Sequence, residues 1–276
     1  MPQPPESEPR DGRLALGFAC VGHGLMHLFA AFYFVIVLEL ERVWGLPYAE
    51  ALTLWTPGAA LIALGAIPAG WLADRWSTPG MMVVMFIGMG LAAVVCGLAT
   101  TPLVMGLGLV ALGLFCAIYH PVGIPWIVRI ARRPGQALGV NGIFGSIGVA
   151  GAGLITGWLI DVQGWRAAFV VPGLVSLGLG FALGWCWWRG WVADCPAHPR
   201  QHQEPSRGEQ WRALGILIVT MSCLGLAFQA MQAALPKVFS LRFSDAWQLD
   251  VAGAGYLVGA AFVVPGLVSL GLGFAL

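Results

Sequence analysis

Charge is what this chain has least of. Only 10% of its 276 residues are Asp, Glu, Lys or Arg, where a soluble domain carries about 25%. The 14 Lys and Arg against 13 Asp and Glu leave a net charge of +1, too little of either sign to favour a nucleic-acid partner. A disulfide framework is also missing. Cys20, Cys96, Cys116, Cys186 and Cys223 sit in or beside apolar runs and Cys195 in a polar loop, with no spacing that suggests bridges or a zinc knuckle. The first residues do not resemble a short secretory leader. The polar, Pro-rich MPQPPESEPRDG is followed by an apolar run too long for a leader's core, so that run stays in the mature protein and residues 1–12 are expected to be disordered.

What remains is apolar length. Hydrophobic residues make up 58% of the chain, in runs of the roughly 20 residues that cross a bilayer as a helix. Eight spans are expected, at roughly 14–39, 48–73, 80–99, 102–130, 136–160, 166–188, 212–240 and 249–276. The fold class is therefore an all-α polytopic membrane protein. The polar stretch 189–210 divides it into six helices, residues 13–188, and two more within 211–276.

Basic residues orient the chain. With the N-terminus in the cytoplasm, that side holds Arg10, Arg13, Arg75, Arg129, Arg132, Arg133, Arg189, Arg200, Arg207 and Arg212. The other side holds Arg42, Arg166, Lys237 and Arg242, a positive-inside bias. The glycine-rich GVNGIFGSIGVAGAGLITG, residues 139–157, marks the fifth span as a packing seam, because small residues let membrane helices approach closely. Gly145, Gly148 and Gly153 are its candidate contacts.

Between spans two and three stands GWLADRW, residues 70–76. It resembles the signature loop of the major facilitator superfamily in Gly70, Leu72, Ala73, Asp74 and Arg75, and in its place between those two spans; the family's next Gly and Arg are Ser77 and Thr78 here. The resemblance implies a six-helix N-terminal bundle, a second half, and a gating role for Gly70, Leu72, Asp74 and Arg75 on the cytoplasmic side. DVQGWRAAFVVPG, residues 161–173, is similar to the family's entry into its sixth helix. The fifth span only loosely follows the family's antiporter signature, with Gly153 in place of its proline and Thr156 in place of a glycine. YHPVGIP in span four and the paired histidines of span one look similar to fosmidomycin-resistance-type bacterial efflux permeases. The activity implied is proton-coupled efflux of a small molecule across the bacterial inner membrane by alternating access, without a cofactor.

Polar groups at membrane depth are costly and therefore functional candidates. No carboxylate, Lys or Arg falls near the middle of a span, which leaves His23, His27 and His120. His23 and His27 share a helical face at i, i+4. The family's architecture places spans one, four and seven around a central cavity, where the three could converge. Histidine titrates near neutrality, which suits a carrier whose coupling ion is H+. Pro121 and Pro125 remove backbone donors and should bend span four beside His120. In span seven, Gln229 and Gln232 share a face at i, i+3. Aligning RLALGFA (13–19) with RALGILI (212–218) sets Gln232 opposite Tyr33 on the expected cavity face; substrate contact and helix–helix hydrogen bonding are both open to these glutamines. HGLMH, residues 23–27, also has a metal-site spacing, but Gly24 stands where a zinc protease needs its glutamate. No metal and no enzyme are expected.

One feature fits none of this. AAFVVPGLVSLGLGFAL occurs at 167–183 and again at 260–276. The offset of 93 relates span six to span eight, whereas the halves of the fold would be offset by about 199. The expectation is a duplication or joining error that leaves the second half incomplete, in a chain that is a non-transporting remnant if it lacks a working second half.

Overall fold

The computed structural model describes residues 12–194, 206–247 and 250–275, without side chains for 244–249 and from 264 onward. Most of the N-terminal tail, the centre of the 189–210 loop, and most side chains of the second AAFVVPGLVSLGLGFAL copy lie outside the described residues.

Every regular element among the described residues is helical. The first span is α1 (Gly12–Ala31) and α2 (Tyr33–Trp44), the second α3 (Tyr48–Thr53) and α4 (Thr56–Arg75), and the third α5 (Thr78–Gly97). The fourth is α6 (Pro102–Cys116) and α7 (Tyr119–Ile130), followed by α8 (Pro134–Gln163), α9 (Trp165–Trp188), α10 (Arg207–Trp247) and α11 (Val251–Ala275). Among the described residues seven spans are long and apolar enough to cross a membrane, and α11 is apolar over Val251–Val263 besides. The fold is that of an all-α polytopic membrane protein.

Three spans that read as continuous in the sequence are divided. In the second and fourth the cause is proline, which has no N–H for the carbonyl four residues back. Pro57 leaves α3 to end at Thr53, and Pro121 leaves the gap at Ala117 and Ile118 between α6 and α7. Span one is the mildest case: no proline stands near Phe32, and the backbone stays right-handed helical through it, with Phe32 N–H on Leu28 O at 2.9 Å and Ile36 N–H on Phe32 O at 3.2 Å. The helix starts follow local chemistry. Ser77 and Thr101 accept from the backbone N–H of Gly80 at 3.1 Å and Val104 at 3.3 Å, satisfying donors that a helix's first turn leaves free. Gly164, at φ 83°, makes the tight turn from α8 into α9, a conformation that costs glycine little.

The core is apolar and aromatic, with Phe29, Phe32, Phe86, Phe169, Met82 and Met85 fully buried. Helix α8 is the seam. On one side it meets α1, where a Cβ at Gly148 would overlap the Gly24 carbonyl. On the other it meets α11, where a Cβ at Gly153 would lie 2.5 Å from Gly255 O and Gly259 N. Gly153 and Gly157 thus face Gly255 and Gly259, a small-xxx-small pair on each helix that lets the backbones touch. This crossing precedes residue 260. The second copy enters it through Phe262, which is buried and meets Phe228 at 5.7 Å between ring centres.

After α9 the chain folds back and Asp194 caps α5. Its carboxylate accepts from the Ser77 hydroxyl and the Thr78 N–H, both at 2.7 Å. Negative charge at a helix N-terminus is favoured by the helix dipole. Asp194→Ala is expected to lower stability by about 1 kcal/mol, read as an earlier unfolding transition of the purified protein. An unchanged transition would mean the cap does not hold the loop.

Candidate functional site

Helix α7 lies against α1 and brings Tyr119 and His120 next to His23 and His27, which are one helical turn apart. One ring nitrogen from each of His23, His27 and His120 lies within 4.8 Å of the others. His23 is buried at 8% exposure, His27 half-buried and His120 exposed, so the cluster runs from the packed α1–α8 seam to an open face.

The hydrogen bonds order this run. His23 Nδ1 lies 2.7 Å from the backbone carbonyl of Asn141 on α8; a carbonyl only accepts, so Nδ1 carries the proton. His23 Nε2 is then the acceptor for His27 Nε2–H at 3.1 Å. The Tyr119 ring stacks on His23 with centres 4.7 Å apart and 8° between planes. Its hydroxyl lies 2.8 Å from Ala19 O and 2.6 Å from the Asn141 side-chain amide. His120 meets His23 and His27 edge-on, with ring centres at 5.5 and 5.6 Å. Gly145 makes room for all this, since a Cβ there would stand 2.6 Å from His23 Cε1. Gly145→Ala is therefore expected to push the imidazole off Asn141 O while α8 remains intact. An imidazole NMR resonance of His23 that shifts, in a protein with unchanged helix content, is the check.

The other expected residues lie elsewhere. Tyr33 is fully buried and donates to Ala51 O at 2.7 Å, so it belongs to the α2–α3 contact rather than to the histidines. Gln232 is buried beside Ala31, Phe34, Val149, Gly153, Val258 and Phe262. Its Nε2 donates to the exposed Gln229 at 3.4 Å, and its Oε1 has no protein partner. These glutamines form a separate polar spot at the joint of α2, α8, α10 and α11.

At the end of the bundle that holds GWLADRW, Asp74 and Arg129 pair at 3.4 Å between α4 and α7, and the Arg75 guanidinium lies 4.2 Å over the Trp71 ring. A Cβ at Gly70 would lie 3.3 Å from Pro121, so this loop and the histidine helix are packed together. Leu72 is exposed. At the opposite end, Lys237 of α10 pairs with Glu41 of α2 at 2.6 Å. Beside that pair, Tyr48 of α3 donates to Ala233 O at 2.8 Å.

Sequence reading missed Tyr119, Asn141, Glu41, Tyr48, Lys237 and Asp194. Asn141 carried a signal, as an amide inside an otherwise apolar and glycine-rich span. The Glu41–Lys237 pair, 196 residues apart, carried none.

A family model described as Major Facilitator Superfamily matches residues 19–276. A multidrug resistance protein B homolog of Mycobacterium tuberculosis is 27% identical over 175 residues, covering 62% of this chain and 30% of the relative. A gallate transporter of Pseudomonas putida is 24% identical over 155 residues, covering 55% of this chain and 34% of the relative. The crystal structure of a bacterial homolog to the human lysosomal transporter Spinster, inward-facing and occupied, has a TM-score of 0.70 at 19% identity. It covers 94% of this chain and 59% of that one, a likeness of fold. The chain spans about a third of the length of these curated relatives.

Proposed function

This chain belongs to the Major Facilitator Superfamily, and on that premise we propose that it serves secondary active transport of a small organic molecule by alternating access, as proton-coupled efflux. The observation that carries the reading is the graded cluster of His23, His27 and His120, buried at one end and open at the other. Among the described residues these are the ionisable side chains with charge to gain near neutral pH at mid-span. Among the described residues the other titratable groups around them are Tyr119 and, beside it, Cys20, and no carboxylate faces them. Relatives named as transporters, one of multidrug and one of gallate type, support a transported organic solute and not an enzyme's substrate.

The setting is a bacterial inner membrane, with the N-terminus and the Asp74 loop on the cytoplasmic side, supported by the distribution of Arg. Residues 13–188 act as one bundle, joined through 189–210 to the helices of 211–276. The Asp74–Arg129 pair and Arg75 gate the cytoplasmic end. The Spinster homolog of like fold was captured inward-facing, and the Glu41–Lys237 pair closing the other end agrees with such a state here.

The test is the chain in proteoliposomes with an imposed pH gradient, scored by proton flux on adding ethidium or gallate. Solute-dependent proton movement is expected, falling about tenfold or more in His120→Gln. Unchanged pH-dependent flux in His23→Ala, His27→Ala and His120→Ala together would falsify the histidine carrier. Flux indifferent to the gradient would remove proton coupling.

A further inference from the structure

We infer that His23, His27 and His120 form a binding site for a divalent transition-metal cation of the imidazole-preferring class, with Zn2+ the fitting probe. The site stands on geometry alone. Zn–N bonds of about 2.0–2.1 Å set neighbouring nitrogens of a tetrahedron about 3.3–3.4 Å apart. His23 Nε2 and His27 Nε2 are 3.1 Å apart, held there by a single proton that a metal ion would replace. The third nitrogen lies within 4.8 Å and belongs to His120, the exposed member, so closing the set asks a movement of about an ångström of this one side chain.

The surroundings fit a metal ligand set as well. A ligating histidine usually donates its other ring N–H to a carbonyl, which fixes the tautomer and aims the lone pair. His23 does this, with Nδ1–H on Asn141 O at 2.7 Å and its ring clamped between Tyr119 and Gly145. Three imidazoles without carboxylate or thiolate select Zn2+, Cu2+ or Ni2+ over Mg2+ or Ca2+. A fourth position stays open on the His120 side, where water or a coordinating solute could sit. The Gly24 that removes a protease's general base from HGLMH leaves metal binding itself untouched.

The experiment uses the purified full chain with His198→Gln and His202→Gln in every sample, because these are the chain's remaining histidines and would otherwise add background. Zn2+ is titrated by calorimetry, and Co2+ by its visible absorption, which is intense when tetrahedral and weak when octahedral. One ion per chain and an intense Co2+ spectrum are expected. His120→Gln, at an exposed position, should fold normally and weaken Zn2+ binding about tenfold or more, and His27→Gln should do the same. Zn2+ binding that is absent, or equal in these variants, or a weak octahedral Co2+ spectrum would overturn the site. No transport is measured, so the site can fail while proton-coupled transport holds, and the reverse.

Discussion

Gly148→Leu is expected to abolish recovery of folded protein. A Cβ at this position already overlaps the Gly24 carbonyl of α1, and the obstacle is backbone, which no rotamer change can move. A full side chain would prise α8 from α1 along the seam that holds His23 against Asn141. Gly148→Ala is the graded version. Overpacking by one methyl between two fixed backbones costs about 1–3 kcal/mol, enough to show as an earlier unfolding transition. Gly142, with nothing within 4 Å of its Cβ position, is the control. Gly142→Ala should be neutral or slightly stabilising, since alanine is the better helix former. Size-exclusion profiles of detergent-solubilised protein read the result. A monodisperse Gly148→Leu variant at normal yield would show that α1 and α8 do not pack as described.

The second large effect concerns the Glu41–Lys237 end. Bridging Glu41→Cys to Lys237→Cys with a short, cleavable bis-thiosulfonate reagent is expected to stop transport, and reduction should restore it. If alternating access operates, this end must open, and α10 must leave both Glu41 and the Tyr48 hydroxyl. The native pair is only a weak latch. Its side chains are 28% and 30% exposed, so solvent screening holds its worth to about 1 kcal/mol, near a fivefold bias between states. Glu41→Gln should therefore shift the balance modestly, whereas the covalent bridge fixes it. Full transport with the bridge in place would mean that these helices move together. Among the described residues Cys20, Cys96, Cys116 and Cys186 are buried and Cys223 is exposed, so Cys223 is removed first, together with Cys195 of the polar loop.

The histidines show how far sequence reading reaches. That His23 and His27 share a face follows from helical periodicity alone. That His120 joins them depends on α7 lying against α1, which no local pattern states. Tyr33 shows the limit. Aligning two span starts set it opposite Gln232 on an expected cavity face, yet its hydroxyl is held by Ala51 O at 2.7 Å. Helical hydrogen bonds run through Phe32 just before it, so the register is continuous, and it is the packing of α3 against α2 that gives the Tyr33 hydroxyl to Ala51. Gln232 and Gln229 are hydrogen-bonded on one face, and Gln232 meets Val149, Val258 and Phe262 instead of the histidines.

By itself the sequence determined that the chain is a set of membrane helices, because hydrocarbon length and scarce charge leave backbone groups no alternative to internal hydrogen bonds. It also determined where several helices start, through Ser77, Thr101 and the prolines, and which spans pack closely, through the glycines of residues 139–157. Tertiary structure decided which side of α8 takes α1 and which takes α11, that Asn141 fixes a histidine tautomer, and that Lys237 meets Glu41. The physical reason is range. Propensity, capping and hydrophobic length act within a few residues, while each of these contacts joins residues about a hundred or more positions apart and exists only once the helices have packed.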